Sequence, residues 1–397
     1  MTNKIYILNT SAVRIILFCI SFLHGFVLHA ETNTPKVQVD MYGHNFEFDA
    51  VQIDLSNLLC GEITPGKIGL AVQEAITQLP DLVAKMDAYV IQYQMDDFAY
   101  LLMAKKFVNK QFVNISDNEK SIIIYSLLKV KRLDVLITYN ENDITLYGRT
   151  NYWIDNVLYV QIENKTYFDF SFSQLKSASA QQLYLDSDHS KSLPLVINTI
   201  TPPAFHAKQK KVVIPFEYDG FTYFFTAKTN LSLVEYYKEL PTLDINTLYL
   251  NYGFSDLLKN SLVKELKKAV SGMKQEMAID FLLKFTQQAF AYRSDEELYG
   301  QEKFSFPEET ILNRYSDCED KAILFATFGS QVLGLNTVAL YYKDAKHINI
   351  AIQNNGILPN SSFVFDNKNY IICEPTINGY KLGDNLSGSH MAKIIDW

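Results

Sequence analysis

The chain has 397 residues, 48% of them hydrophobic, a net charge of −8 and no low-complexity tract. That length allows two or three domains with full cores. The acidic balance and the lack of any basic run exclude a protein built around nucleic-acid binding.

The first thirty residues read as an export signal. Lys4 and Arg14 precede a mostly apolar run from Ile15 to Val27, and Ala30 stands before Glu31. The run is short for a membrane span, and His24 and Gly25 interrupt it. The expectation is a signal peptide over 1–30 and a secreted protein, periplasmic or at the cell surface, with no membrane span after cleavage. Of the four cysteines, Cys60, Cys318 and Cys373 then remain. An odd number leaves at least one thiol unpaired in a monomer, so disulfides do not carry the fold.

Residues 31–180 form a first block. Val37 to Phe48 alternates like strands. Helical spacing follows at Ile68–Leu79 and Asp97–Phe107. Ser116-Asp117-Asn118-Glu119 then precedes an apolar helix pattern, and strands are expected at 135–139, 144–147, 158–162 and 166–170. Residues 181–252 read as a β-rich connecting domain. Leu195–Ile197 and Val212–Ile214 are strand-like, and Tyr218-Asp219-Gly220-Phe221 is a hairpin signal.

Residues 253–397 form the third block. Helices are expected at Leu257–Val270 and Met277–Phe290. A polar and aromatic stretch, Ala291 to Asn313, follows and is expected to wall a cleft. Tyr315-Ser316-Asp317-Cys318-Glu319-Asp320-Lys321 then leads into the apolar run Ala322–Ala326. Ser316 and Glu319 carry the spacing of a capping box, so a helix is predicted to open near Asp317 and stop at Gly334. Strands at 337–342, 346–352, 363–365 and 370–374 complete an α+β arrangement.

The two outer blocks read as copies. Ser116–Glu119 matches Ser316–Glu319, and Glu163-Asn164-Lys165-Thr166-Tyr167 matches Asp366-Asn367-Lys368-Asn369-Tyr370, in the same order along the chain. In this alignment Asn118 stands for Cys318, Ile144 for His347 and Ser171 for Glu374. The first copy is therefore expected to be chemically silent.

Cys318 in the first turn of a helix lies where free N–H groups favour a thiolate. The effect is about 0.3–2 kcal/mol, or about one pKa unit, and Asp317, Glu319 and Asp320 oppose it. An imidazole partner is needed for a strong nucleophile. Strand alternation over Lys346–Ile352 puts Ile348, Ile350 and Ile352 on one face and His347, Asn349 and Ala351 on the other, with His347 expected to meet the helix start. Glu374 ends the following strand and can orient His347 by accepting its Nδ1–H. Cys373 reads as a small buried residue. His44, His189, His206 and His390 have no zinc spacing, so neither a metal nor a cofactor is expected.

On these residues the third block resembles transglutaminase-like cysteine proteins of the papain-related superfamily. More narrowly, it resembles exported bacterial members whose motif reads roughly S-D-C-E-D-[RK]-A, here Ser316 to Ala322. Their acid precedes Pro-Thr, as Glu374 precedes Pro375-Thr376, and Phe285-Thr286-Gln287 resembles an upstream Phe-x-Gln segment. The resemblance implies Cys318 as nucleophile, His347 as base, Glu374 as orienter and Gln287 as an oxyanion donor. It implies a cysteine peptidase or acyltransferase acting on a protein or peptide substrate, with hydrolysis ahead of transamidation. The chain departs from the family in carrying Glu where Asp is usual. The other reading is a binding or scaffold protein built on tandem transglutaminase-like folds.

Overall fold

The computed structural model describes residues 34–155, 157–170, 182–184, 192–198, 201–205, 208–243, 249–300, 303–354, 362–384 and 392–395. The leader assigned to 1–30, with His189, His206 and His390, lies outside them. No helix among the described residues is long and apolar enough to cross a membrane.

The fold is α+β, and each half is a helical layer followed by an antiparallel sheet. In the first half the hairpin β1 (Lys36–Met41) and β2 (His44–Asp49) precedes four helices: α1 (Pro65–Gln78), α2 (Pro80–Gln92), α3 (Asp97–Gln111) and α4 (Asp117–Val130). α2 escapes the periodicity reading because Pro80 looks like a break; it is the first residue of the new helix, where its missing N–H costs nothing. β3 (Val135–Tyr139), β4 (Ile144–Arg149), β5 (Tyr159–Ile162), β6 (Lys165–Asp169) and β7 (Gln182–Tyr184) make a sheet of order β5-β6-β4-β3-β7.

The middle region is one long hairpin, β8 (Gln209–Tyr218) and β9 (Phe221–Asn230), with a short helix, α5 (Leu231–Glu239). Asp219 and Gly220 both have positive φ (49° and 79°), as a two-residue turn of this kind requires. Val212–Ile214 lies in β8, whereas Leu195 makes only an isolated bridge to Thr150. The hairpin has no core of its own. Its inner residues Phe216 and Phe225 pack on Phe281 and Phe285 of α6 (Gln275–Ala289), with ring centroids 5.1–6.2 Å apart. Each such pair contributes about 0.5–1.5 kcal/mol beyond its buried area.

The outer edge of β9 is closed by side chains rather than by a strand. The N–H groups of Thr226, Lys228 and Asn230 donate to Glu265 Oε2 (2.7 Å), Ser261 Oγ (3.0 Å) and Glu308 Oε1 (2.6 Å). Alternate residues of a strand point their N–H groups to one edge, so a helical rod laid along it can satisfy those of Thr226 and Lys228, while Glu308 reaches Asn230 from outside that rod. That rod runs from Asp256 to Val270 and is wound as π over Lys259–Val263, which brings Ser261 to the edge.

Glu308 is the buried carboxylate of this set. Burial pushes its carboxyl up to about 7. A group whose folded-state pKa is raised favours the fold below its unfolded pKa, and that contribution is lost as pH rises through the folded value. Urea unfolding is therefore expected to show a less stable protein at about pH 8 than at about pH 5, with roughly 3 kcal/mol traceable to Glu308. Glu308→Gln removes that part of the slope.

In the second half α7 (Pro307–Asn313) and α8 (Cys318–Leu333) precede β12 (Thr337–Tyr342), β13 (His347–Gln353), β14 (Ser362–Phe365), β15 (Lys368–Cys373) and β16 (Lys393–Ile395). Their sheet has the order β14-β15-β13-β12-β16. This is the first sheet's order strand for strand. The registers agree as well: Tyr139 pairs with Ile144, and Tyr342 pairs with His347, an offset of 203 on both strands (342 − 139 and 347 − 144). Ile144 thus holds the place of His347. Ser171 lies outside the described residues, and the place of Glu374 falls to Phe170. Leu146, the counterpart of Asn349, accepts a hydrogen bond from Phe170 N at 2.9 Å, and the β13–β15 register sets Asn349 opposite Glu374. Sequence offset alone misses the one-residue slip.

Candidate active site

Cys318 is the first residue of α8, and its cap differs from the sequence reading. Asp317, not Ser316, is the N-cap, accepting from Asp320 N at 3.1 Å. Ser316 is drawn into the two-residue strand β11 (Tyr315–Ser316), which pairs with β10 (Ala291–Tyr292) and cannot also cap. The expected capping box forms only in the first half, between Ser116 and Glu119. Counted from the caps, Asp117 rather than Asn118 corresponds to Cys318. Asn118 instead stitches the helix start to the sheet: its Nδ2 donates to Asn142 O (2.7 Å), and its Oδ1 accepts from Ile144 N (2.9 Å).

The β10–β11 pair anchors the segment that follows Ala291 beside the Cys318 helix. Tyr292, Ser294, Asp295 and Phe304 from that segment wall a cleft of about 840 Å³ that contains Cys318. Tyr341, Ile348 and Ile395 line the side formed by the sheet.

Glu374 is fully buried at the end of β15, and both its oxygens are directed. Oε1 accepts from Thr376 N (2.8 Å) and Ile377 N (3.3 Å). Oε2 lies 2.6 Å from His347 Nε2. The Asn349 amide, turned by its hydrogen-bond partners so that nitrogen faces the acid, donates to the same Oε2 at 2.6 Å. The sequence reading had Nδ1 on the acid; the structure puts Nε2 there. Nδ1 makes no hydrogen bond among the described residues. Burial lowers the imidazole's pKa, but the hydrogen bond and charge of Glu374 outweigh it, so the net shift is upward.

Gln287 lies in the same region but does not aim at an oxyanion. Its Nε2 donates to the carbonyls of Glu374 (2.8 Å) and Tyr380 (3.1 Å), so both amide protons hold the chain that follows β15. Lys321 does related work that the sequence reading missed. Buried one turn into α8, its Nζ donates to Gln287 O at 3.1 Å. Burial lowers it to about 8, with Glu374's charge opposing. The signal was a lysine in the apolar run of a helix, which demands buried partners.

Cys318 and His347 are not joined by a hydrogen bond. The thiol donates to Glu319 Oε2 instead. Burial, followed by the charge and hydrogen bond of Glu319 and then the charge of Asp317, pushes the thiol well above its ordinary pKa. The negative charge of Glu319 also contributes to the rise at His347, so this carboxylate lies within electrostatic reach of both groups. The alternation of β13 accounts for the gap. Ile348, Ile350 and Ile352 face the main core with α8, while Ala351 belongs to a second cluster with Val338, Leu340 and Ile372. His347 shares the parity of Ala351, which turns it from the helix body and not toward it as expected. Glu319→Gln is expected to raise the alkylation rate of Cys318 at neutral pH by about tenfold, since it removes one negative charge from the thiolate's surroundings. Rates with a neutral alkylating reagent measure this.

Cys60, Cys318 and Cys373 are all free thiols, Cys373 in the core. Among the described residues no group of His, Cys, Asp and Glu side chains could hold a metal ion. The chain matches no protein-family model, and no curated protein or solved structure matches it either.

Proposed function

We propose that the chain is an exported transglutaminase-like cysteine enzyme that cleaves peptide or isopeptide bonds. The observation that carries this reading is the 2.6 Å contact between His347 Nε2 and a desolvated, doubly braced Glu374. It fixes one ring nitrogen and leaves Nδ1 uncommitted at a strand end whose neighbours Lys346 and Ile348 line the cleft that holds Cys318. Cys318 attacks the amide carbonyl after its thiol leaves Glu319. His347 Nδ1 takes the thiol proton and gives it to the departing amine, and water then releases the acyl group. The Cys318 N–H at the helix start serves as an oxyanion donor.

The first half, with Ile144 and Phe170 at the positions of His347 and Glu374, is a silent copy in this reading. The spread of one core through all three regions makes the assigned boundaries, 31–180, 181–252 and 253–397, units of ancestry more than of independent folding. A second reading, a binding protein on tandem transglutaminase-like folds, is favoured by the thiol's contact with Glu319 in place of His347. Peptide profiling separates the two. Cleavage products seen with the protein and absent with Cys318→Ala support the enzyme, and identical profiles support the binding protein.

A further inference from the structure

The charges around the Cys318 cleft are unevenly committed. Of the four acids lining the cleft, Asp317 caps α8, Asp295 accepts from Lys303 N at 2.7 Å, Glu319 takes the thiol, and Glu296 stands exposed on the segment that follows Ala291. Three lysines on the sheet side have no such use. Lys343 and Lys346 flank the β12–β13 turn, and Lys393 on β16 pairs in register with Tyr341. All three are exposed, and none makes an ion pair among the described residues. They stand over an apolar floor of Tyr341, Ile348 and Ile395. On a chain of net charge −8, this is a concentrated positive wall.

We propose that this wall binds carboxylate side chains, so that the cleft selects acidic peptide segments and lays them beside Cys318. The lysine stems and the apolar floor take the aliphatic parts of glutamate side chains, and the ammonium groups take their carboxylates. This rests on the reading of the cleft as the substrate site of a peptide-bond enzyme.

The test is fluorescence anisotropy of labelled peptides on full-length Cys318→Ala protein. The peptides are identical except that the flanking positions carry Glu, Gln or Lys. The Glu peptide is expected to bind about tenfold more tightly than the Gln peptide, from exposed pairs that add up modestly. The Lys peptide is expected to bind weakest, and the preference to shrink as salt rises. Changing Lys343, Lys346 and Lys393 together to Ala is expected to bring Glu and Gln peptides level. The ranking on the lysine-bearing protein stands whether or not that variant folds. A Glu peptide that binds no better than its Gln counterpart, including no binding by either, overturns the proposal. Glu-selective binding without cleavage by the unsubstituted protein sinks the enzyme reading alone. Equally fast cleavage of all three peptides sinks acidic selectivity alone.

Discussion

Glu374→Gln is expected to lower peptide-bond hydrolysis by about ten-thousandfold while the protein still folds. The backbone decides this outcome. Thr376 N and Ile377 N both donate to Oε1, so the glutamine oxygen is held there and its amide nitrogen takes the place of Oε2. A donor then faces His347 Nε2, which must become an acceptor. The ring proton moves to Nδ1, and Nδ1 can no longer take the proton of Cys318. The same change removes the charge that raises the imidazole's pKa. The proposed mechanism needs the neutral ring, so activity is expected to rise with pH through that pKa, and its acid limb to move to lower pH in the variant. Glu374→Asp tests the extra methylene of this chain. A drop of about a hundredfold is expected if the longer carboxylate sets the contact with Nε2. Steady-state rates across pH measure both variants.

His347→Ala is expected to cost at least about a thousandfold in turnover. The double variant with Cys318→Ala should be no slower than the worse single one, because groups that act as a unit do not add. Additive losses would mean that the two side chains work separately. The loss of stability is expected to be smaller than the loss of activity: the fully buried Glu374 Oε2 loses one partner, but the Asn349 amide still donates to it. A stability loss that tracked the activity loss would assign His347 a structural role.

Much of this site could be read from local signals. A strand-forming stretch placed His347, Gly334 marked the helix stop with its positive φ, and Pro375 marked the end of the strand carrying Glu374. Long-range contacts set what was misread. Ser316 does not cap because a strand twenty-four residues earlier, Ala291–Tyr292, recruits it. Gln287 faces carbonyls that reach it only after β15 returns to α6. Which imidazole nitrogen meets the acid depends on ring orientation, which sequence spacing does not encode. The fifth strand of each sheet, β7 and β16, is three residues long and too short to show periodicity.

The most direct measurement is the rate at which a neutral alkylating reagent modifies Cys318, followed by mass spectrometry in the unsubstituted protein and in His347→Ala. The account predicts modification at least about tenfold slower in the variant, since no imidazole is then left to take the proton once the thiol leaves Glu319. Equal rates in the two proteins would contradict it.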